Sequence, residues 1–308
     1  MSETIAIQSQ PVRSRLVLAL GIFISLACAV RVTNAQLQPQ RPLDPIAAQM
    51  EPSRKVVYKR IGERDLRLHV FEPAGHRLGD RRSAFVIFHG GGWTGGTPRR
   101  TYPFADYFRD LGMVAISVEY RLLRKDSRVT VFDCVKDGRS AIRYLRQHAE
   151  PLGIDPDKIV VAGCSAGGHV AAGTALFHEV NEDSDDVNVS SVPNSLVLYY
   201  PVIDTSPHGY GQKKIGDSWQ QISPVHHVRA DLPPTILFHG TTDTVTPYAG
   251  VVAFHAKMLE AGNQCELVSH SDGTHGYLIF ELDLFNASML HTQQFLRTNE
   301  LLPVKVNE

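Results

Sequence analysis

Five stretches of the chain are almost continuously apolar and too short to be helices: Ala84 to Phe88, Val114 to Val118, Ile159 to Ala162, Leu196 to Tyr200 and Thr235 to Phe238. Apolar runs of about four to eight residues, rich in Val, Ile and Phe, are the pattern of strands buried on both faces of a parallel sheet. A further strand is expected at Cys265 to Ser269. Two earlier stretches, Lys55 to Arg60 and Leu66 to Phe71, alternate instead, with Gly62 between them, as an antiparallel pair does. Between the strands the period changes. From Cys134 to Ala149, Val135, Ile142 and Leu145 recur against Lys136, Arg139, Arg143 and Arg146, which predicts an amphipathic helix. Val251 to Ala261 and Phe285 to Leu296 predict further helices covering the sheet. Buried strands alternating with such helices give an α/β class: a mostly parallel, doubly wound sheet with an antiparallel pair at its N-terminal edge.

The ends of the chain follow other rules. Arg13 and Arg15 precede an apolar run from Leu16 to Val30, and Val32-Thr33-Asn34-Ala35 then supplies small residues before Gln36. That order predicts a signal peptide over residues 1–35, cleaved after Ala35, and hence a secreted or periplasmic protein with no stable membrane anchor. The rival reading, an uncleaved membrane anchor, needs about 20 apolar residues, and Arg31 interrupts the run. Residues 36–54 are rich in Gln and Pro without a sustained period and are expected to be a linker or surface arm, with the domain occupying 55–308. Thr205 to Asp231 holds Pro, Gly, Lys and His with little apolar content, and is expected to be a short insertion over the sheet edge and the active site.

Composition narrows the class. With 43% hydrophobic and 20% charged residues, the chain is an ordinary folded globular protein. Its 31 basic side chains against 32 acidic ones form no basic cluster, which argues against nucleic acid as a partner. Loss of Arg13, Arg15, Arg31 and Glu3 with the leader leaves 28 basic against 31 acidic groups. Four cysteines are too few for a disulfide scaffold. Of the three beyond the leader, Cys134, Cys164 and Cys265, at most two can be bridged.

The candidate chemistry begins where the strand Ile159 to Ala162 runs into Gly163-Cys164-Ser165-Ala166-Gly167, followed by the helix-compatible His169-Val170-Ala171-Ala172. A Gly-x-Ser-x-Gly turn between strand and helix presents a serine on a strained backbone, where flanking side chains would collide with both neighbours. Directly after Ala84 to Phe88 comes His89-Gly90-Gly91-Gly92-Trp93, whose glycines let backbone N–H groups face a ligand. Gly91, Gly92 and Ala166 are therefore expected to donate to a developing oxyanion.

A serine hydroxyl needs a base, and the base needs an orienting carboxylate. Asp243 follows the strand Thr235 to Phe238, and His275 follows Cys265 to Ser269 within Gly273-Thr274-His275-Gly276. His270 and His291 are rivals, one at a strand end and one inside a predicted helix; Asp272 lies too near His275 in sequence and reads as a turn residue. A neutral histidine base predicts activity rising with pH through about 6.5. Trp93 and Tyr248 are expected to line an acyl or aromatic pocket. Cys164 is expected to be a buried, inert thiol, and the neighbouring His226 and His227 point to no metal site.

Taken together, the sequence resembles the α/β-hydrolase superfamily, near the bacterial hormone-sensitive-lipase-like and feruloyl-esterase-like carboxylesterases. The segments that carry the resemblance are His89 to Trp93, Glu119-Tyr120-Arg121-Leu122, Gly163 to His169, Tyr200-Pro201 and the Asp243 and His275 loops, within residues 54–298. The resemblance implies Ser165 as nucleophile, His275 as base, Asp243 as its orienter, and no cofactor. Hormone-sensitive-lipase relatives usually carry Asp where this chain has Cys164, and a longer N-terminal cap. The Gly-Gly-His after the serine is instead similar to smaller secreted or polysaccharide-associated esterases, which implies short or aromatic acyl esters, free or polysaccharide-linked. An amidase, arylformamidase or peptidase would use the same machinery, and a non-catalytic binding domain of this fold would lack one of the three residues.

Overall fold

The computed structural model describes residues 41–125 and 127–302, all of which belong to one compact unit. The leader expected at 1–35 lies outside the described residues. Eight strands form one sheet: β1 (Arg54–Ile61), β2 (Arg64–Phe71), β3 (Arg82–Phe88), β4 (Val114–Val118), β5 (Ile154–Cys164), β6 (Ser195–Tyr199), β7 (Thr235–Gly240) and β8 (Cys265–His270). Their order is β1-β2-β4-β3-β5-β6-β7-β8. The β1/β2 and β2/β4 pairings are antiparallel and all others are parallel, as the alternating and continuous patterns predict.

Helices cover both faces: α1 (Leu43–Ala48), α2 (Tyr102–Asp110), α3 (Val131–Gln147), α4 (Ala149–Leu152), α5 (Ala166–Leu176), α6 (Gln212–Ile215), α7 (Tyr248–Glu260), α8 (Tyr277–Phe280) and α9 (Leu282–Thr298). Strand side chains alternate between the two layers. Val86, Val161 and Leu198 pack with Cys134 and Val135 of α3, Val170 of α5 and Phe254 of α7. Phe85, Ile87, Ala162 and Tyr199 pack on the opposite side with Phe104 and Phe108 of α2 and Phe295 of α9. The central strands β4, β6 and β7 are buried throughout because neither of their faces meets water.

Two elements depart from the sequence expectation. The helix α2 is hidden in the hydrophobic pattern because Pro103 reads as a break, yet it sits in the first turn, where proline is tolerated. The expected linker contains α1, whose Leu43 and Ala47 lie one turn apart and are both buried, Leu43 within the α2 layer. Arg99 fastens this segment by donating to the Ala48 carbonyl at 2.9 Å and to Glu51 at 2.7 Å. The region 41–51 is thus part of the packed domain, and a six-residue helix is too short for its period to stand out in the sequence.

Candidate active site

Ser165 links β5 to α5 with φ 54° and ψ −119°, a conformation that costs a residue with a side chain roughly 1–3 kcal/mol. The surroundings hold it there. Its N–H donates to the Tyr199 carbonyl at 2.9 Å, and its own carbonyl accepts from the Val202 and His169 N–H groups at 3.1 and 3.2 Å. Every residue of α5 is buried and, apart from His169, which bonds the Ile222 carbonyl, its side chains are small or apolar, so the turn is fixed between the sheet and that helix.

The strand-end loops after β7 and β8 bring Asp243 and His275 to this turn. Ser165 Oγ lies 2.9 Å from His275 Nε2, and His275 Nδ1 lies 2.8 Å from Asp243 Oδ2. With Nδ1–H donating to the carboxylate, Nε2 is left to accept the serine proton. The carboxylate is fully buried while the imidazole remains 22% exposed, so only the imidazole of the pair meets solvent. Burial alone would raise the Asp243 carboxyl. Hydrogen bonds from His239 and His275 and from the Thr246 backbone outweigh it and hold the group well below the ordinary carboxylate range. Because the folded value is the lower one, ionised Asp243 stabilises the native state above about pH 4, and this contribution is lost as the pH falls further.

Two supporting residues were not visible as such in the sequence. Thr246 Oγ1 donates to Asp243 Oδ2 at 2.8 Å, and its N–H and that of Val245 donate to Oδ1 at 2.9 and 2.8 Å. His239 Nε2 donates to the Thr246 carbonyl at 2.7 Å and lies 3.3 Å from Asp243 Oδ2. The only sequence signal is spacing: His239 ends a buried strand four residues before the carboxylate. Tyr200 adds an edge-on ring contact to His275 at 5.1 Å. The rival histidines are placed elsewhere. His270 stacks on Tyr277, and His291 faces Phe238 from α9. Asp272, with φ 58°, makes a turn.

The loop after β3 lies against the serine. Gly91 has φ 129°, and its carbonyl accepts from the Thr94 and Gly95 N–H groups at 3.1 and 3.0 Å, which curls the loop back on itself. Tyr120 steadies its start by donating to the His89 carbonyl at 2.7 Å. Among the described residues the N–H groups of Gly91, Gly92 and Ala166 donate to no protein acceptor. Such donors beside a nucleophile can receive a developing negative charge, and Ala166 adds the start of an eleven-residue helix.

Gly91, Gly92, Ser165 and His275 border a cavity of about 260 Å³ that also touches Leu43, Phe104, Tyr210 and Phe280. Trp93 and Tyr248 are not in its wall, which corrects the expectation from sequence. Trp93, with φ 62°, turns its indole into the core, 0% exposed, edge-on to His169 at 5.1 Å. Tyr248 opens α7 and its hydroxyl meets Ser269 Oγ. Their places are taken by aromatic residues from α2, α8 and the insertion. Cys164 is buried, and that burial pushes its thiol up to about 12. Cys134, Cys164 and Cys265 are all unbridged. His226 and His227 bond to Ser223 and the Gln220 carbonyl, respectively. Tyr210 brings the 205–231 insertion to the cavity, and Lys214 Nζ donates to the Gly92 carbonyl at 3.0 Å.

Known proteins share this arrangement of elements. The BD-FAE family model matches residues 68–210. Esterase 2 of Thermogutta terrifontis, solved phosphoramylated by tabun, is 40% identical, over 82% of this chain and 96% of that one, with a TM-score of 0.78. It has also been solved bound to propionate and to butyrate. The probable carboxylic ester hydrolase LipM of Mycobacterium tuberculosis is 28% identical over 59% of this chain and 46% of its own. An acetylxylan esterase of Xylanibacter ruminicola is 28% identical over 63% of this chain and 41% of its own. The chain spans about half the length of the curated relatives it matches first. On the fold, and on an identity of 40% across nearly the whole of a solved esterase, this chain belongs to the α/β-hydrolase superfamily, among its serine esterases.

Proposed function

We propose that the protein is a secreted serine carboxylesterase that hydrolyses short-chain acyl esters. The observation that carries this reading is the hydrogen-bonded line from Ser165 Oγ through His275 to Asp243, at 2.9 and 2.8 Å, opening on a cavity. Ser165 Oγ attacks the ester carbonyl carbon while His275 Nε2 takes its proton. The carbonyl oxygen becomes an oxyanion that accepts from the N–H groups of Gly91, Gly92 and Ala166. Collapse breaks the bond to the alcohol, which leaves with the proton from His275, and an acyl-serine remains. Water, deprotonated by His275, repeats the sequence on the acyl-serine and releases the acid. Each step uses only side chains, backbone and water.

Cavity size supports a short acyl group, since about 260 Å³ lies below the ~300–1,000 Å³ usual for ligand pockets. The propionate- and butyrate-bound forms of the Thermogutta esterase support the same reading. The acetylxylan esterase relative supports acetyl esters on carbohydrate as one natural form of substrate.

A fluorophosphonate should label Ser165, located by peptide mass mapping. In Asp243→Asn that labelling should slow by about a thousandfold, because the amide cannot hold the imidazole in the accepting tautomer. Labelling at another residue, or an unchanged rate in the variant, would remove this assignment. Export is supported by the charged, apolar and small-residue order of the first 35 residues. Protein recovered from the periplasm or medium should begin at Gln36; recovery of a chain beginning at Met1 would refute export with cleavage.

A further inference from the structure

Two arginines border the same cavity as Ser165 and His275. Arg41 comes from the residues just before α1, and Arg100 from the single turn Pro98–Thr101 that leads into α2. Their neighbour Arg99 is paired with Glu51 at 2.7 Å. Among the described residues neither Arg41 nor Arg100 has a carboxylate within ion-pair distance, and the Arg41 guanidinium lies over the Phe280 ring, 5.5 Å from its centre. A third cation stands at the edge: Lys214 Nζ donates to the Gly92 carbonyl at 3.0 Å and to the Tyr210 hydroxyl at 2.8 Å. Against these the cavity wall holds one acid, Asp44.

The rest of the wall is largely apolar, with Leu43, Phe104, Ile279 and Phe280. Such a wall is poorly polarisable, so the field of the two guanidinium groups is concentrated inside the cleft and acts on whatever enters it. A neutral acyl chain has no use for that field. A carboxylate does, because the guanidinium fork matches its two oxygens and a charge-assisted pair is about twice as strong as a neutral hydrogen bond.

We infer that the enzyme selects esters that carry a carboxylate a few bonds from the scissile carbonyl, received by Arg41 and Arg100. This rests on Ser165 being the nucleophile of the same cavity. The charged group can belong to either half of the substrate: the acyl half, as in a monoester of a short dicarboxylic acid, or the alcohol half, as in a short acyl ester of a hydroxy acid.

Two matched pairs of esters separate these sources. Mono-4-nitrophenyl glutarate is compared with its neutral methyl-capped form, and 4-carboxyphenyl butyrate with 4-carbamoylphenyl butyrate. In one pair the charged ester should have a kcat/KM about tenfold above its neutral counterpart at low salt. Raising KCl from about 0.02 to about 0.5 M should bring that ratio toward one, since a surface-accessible charge pair is screened. Arg41→Gln and Arg100→Gln should each lower the ratio several-fold, and Asp44→Asn should raise it. The salt series on the wild-type protein reads the same field without any variant.

Ratios at or below one in both pairs, or ratios that neither salt nor either arginine variant moves, would overturn the inference while turnover of the neutral esters leaves Ser165 in its role. A wild-type protein that hydrolyses none of the four and takes no fluorophosphonate at Ser165 would overturn the parent reading and this one with it.

Discussion

Ser165→Ala is expected to lower kcat for a 4-nitrophenyl ester by about 10⁴- to 10⁶-fold, which corresponds to roughly 5–8 kcal/mol of transition-state stabilisation. The size follows from the arrangement. In the proposed mechanism every proton that His275 moves belongs to the path through the acyl-serine, so removing the serine oxygen makes the whole hydrogen-bonded line idle. What remains is the set of N–H donors around Gly91, Gly92 and Ala166, which still polarises a bound carbonyl and leaves a small excess over the rate in water. For the same reason Ser165→Ala/His275→Ala should be little slower than Ser165→Ala alone, since the second change removes a group that already has no partner. The melting temperature should stay within about two degrees of wild type, because the alanine keeps the backbone and the packed Cβ. Steady-state rates and a thermal scan on the same preparation test both. A variant retaining more than about 1% of wild-type kcat with Ser165 absent would end the assignment of the nucleophile.

Gly167→Ala is expected to damage the fold rather than the chemistry. A Cβ at Gly167 would stand 2.2 Å from the Phe88 carbonyl oxygen, 2.4 Å from that of His89 and 2.6 Å from the Phe88 carbonyl carbon. All three are backbone atoms at the end of β3, a central strand paired with β4 and β5. No rotamer change relieves such a contact, so α5 must move off the sheet or the strand end must bend. Either shift opens the packing around Val170 and Phe88, which are fully buried in the same layer. A cost of about 4 kcal/mol or more is expected, in the range reserved for overpacked or strained core positions. In a domain of this size that is a fall of about 10 °C in melting temperature, or loss of soluble protein. A urea titration of the variant would check it; a midpoint within error of wild type would show that helix and strand can separate without penalty. Gly163 is the counterpart, its Cβ position lying 2.2 Å from the Gly167 carbonyl oxygen. The two glycines of the turn are thus needed because each lies against main chain.

The difference between these two predictions shows where the hydrophobic pattern and the short motifs carry information. The strands at Ala84–Phe88, Val114–Val118 and Thr235–Phe238 were legible because both faces of each are buried, which makes the apolar run unbroken. The turn at Ser165 was legible because strand, glycines, serine and helix are contiguous. Asp243 and His275 could be nominated from their positions after successive strands, since parallel strands place all their C-terminal loops at one edge. Arg41 and Leu43 could not, because nothing within about ten residues of them marks an approach to a serine more than 120 positions away.

The chain's own sequence therefore determined the layers, the strand polarity and the three side chains that meet at the Ser165 turn, all of which depend on neighbours close in sequence or on the alternation of elements. Only the tertiary structure decided what surrounds the serine: that α1 closes one wall, that Trp93 faces the core, that Thr246 and His239 hold the carboxylate, and that two arginines with no carboxylate partner among the described residues border the cavity. The physical reason is range. Strand and turn preferences are set by local sterics and burial, whereas the wall of a cavity is made by segments whose proximity exists only after the sheet has twisted and the helices have packed.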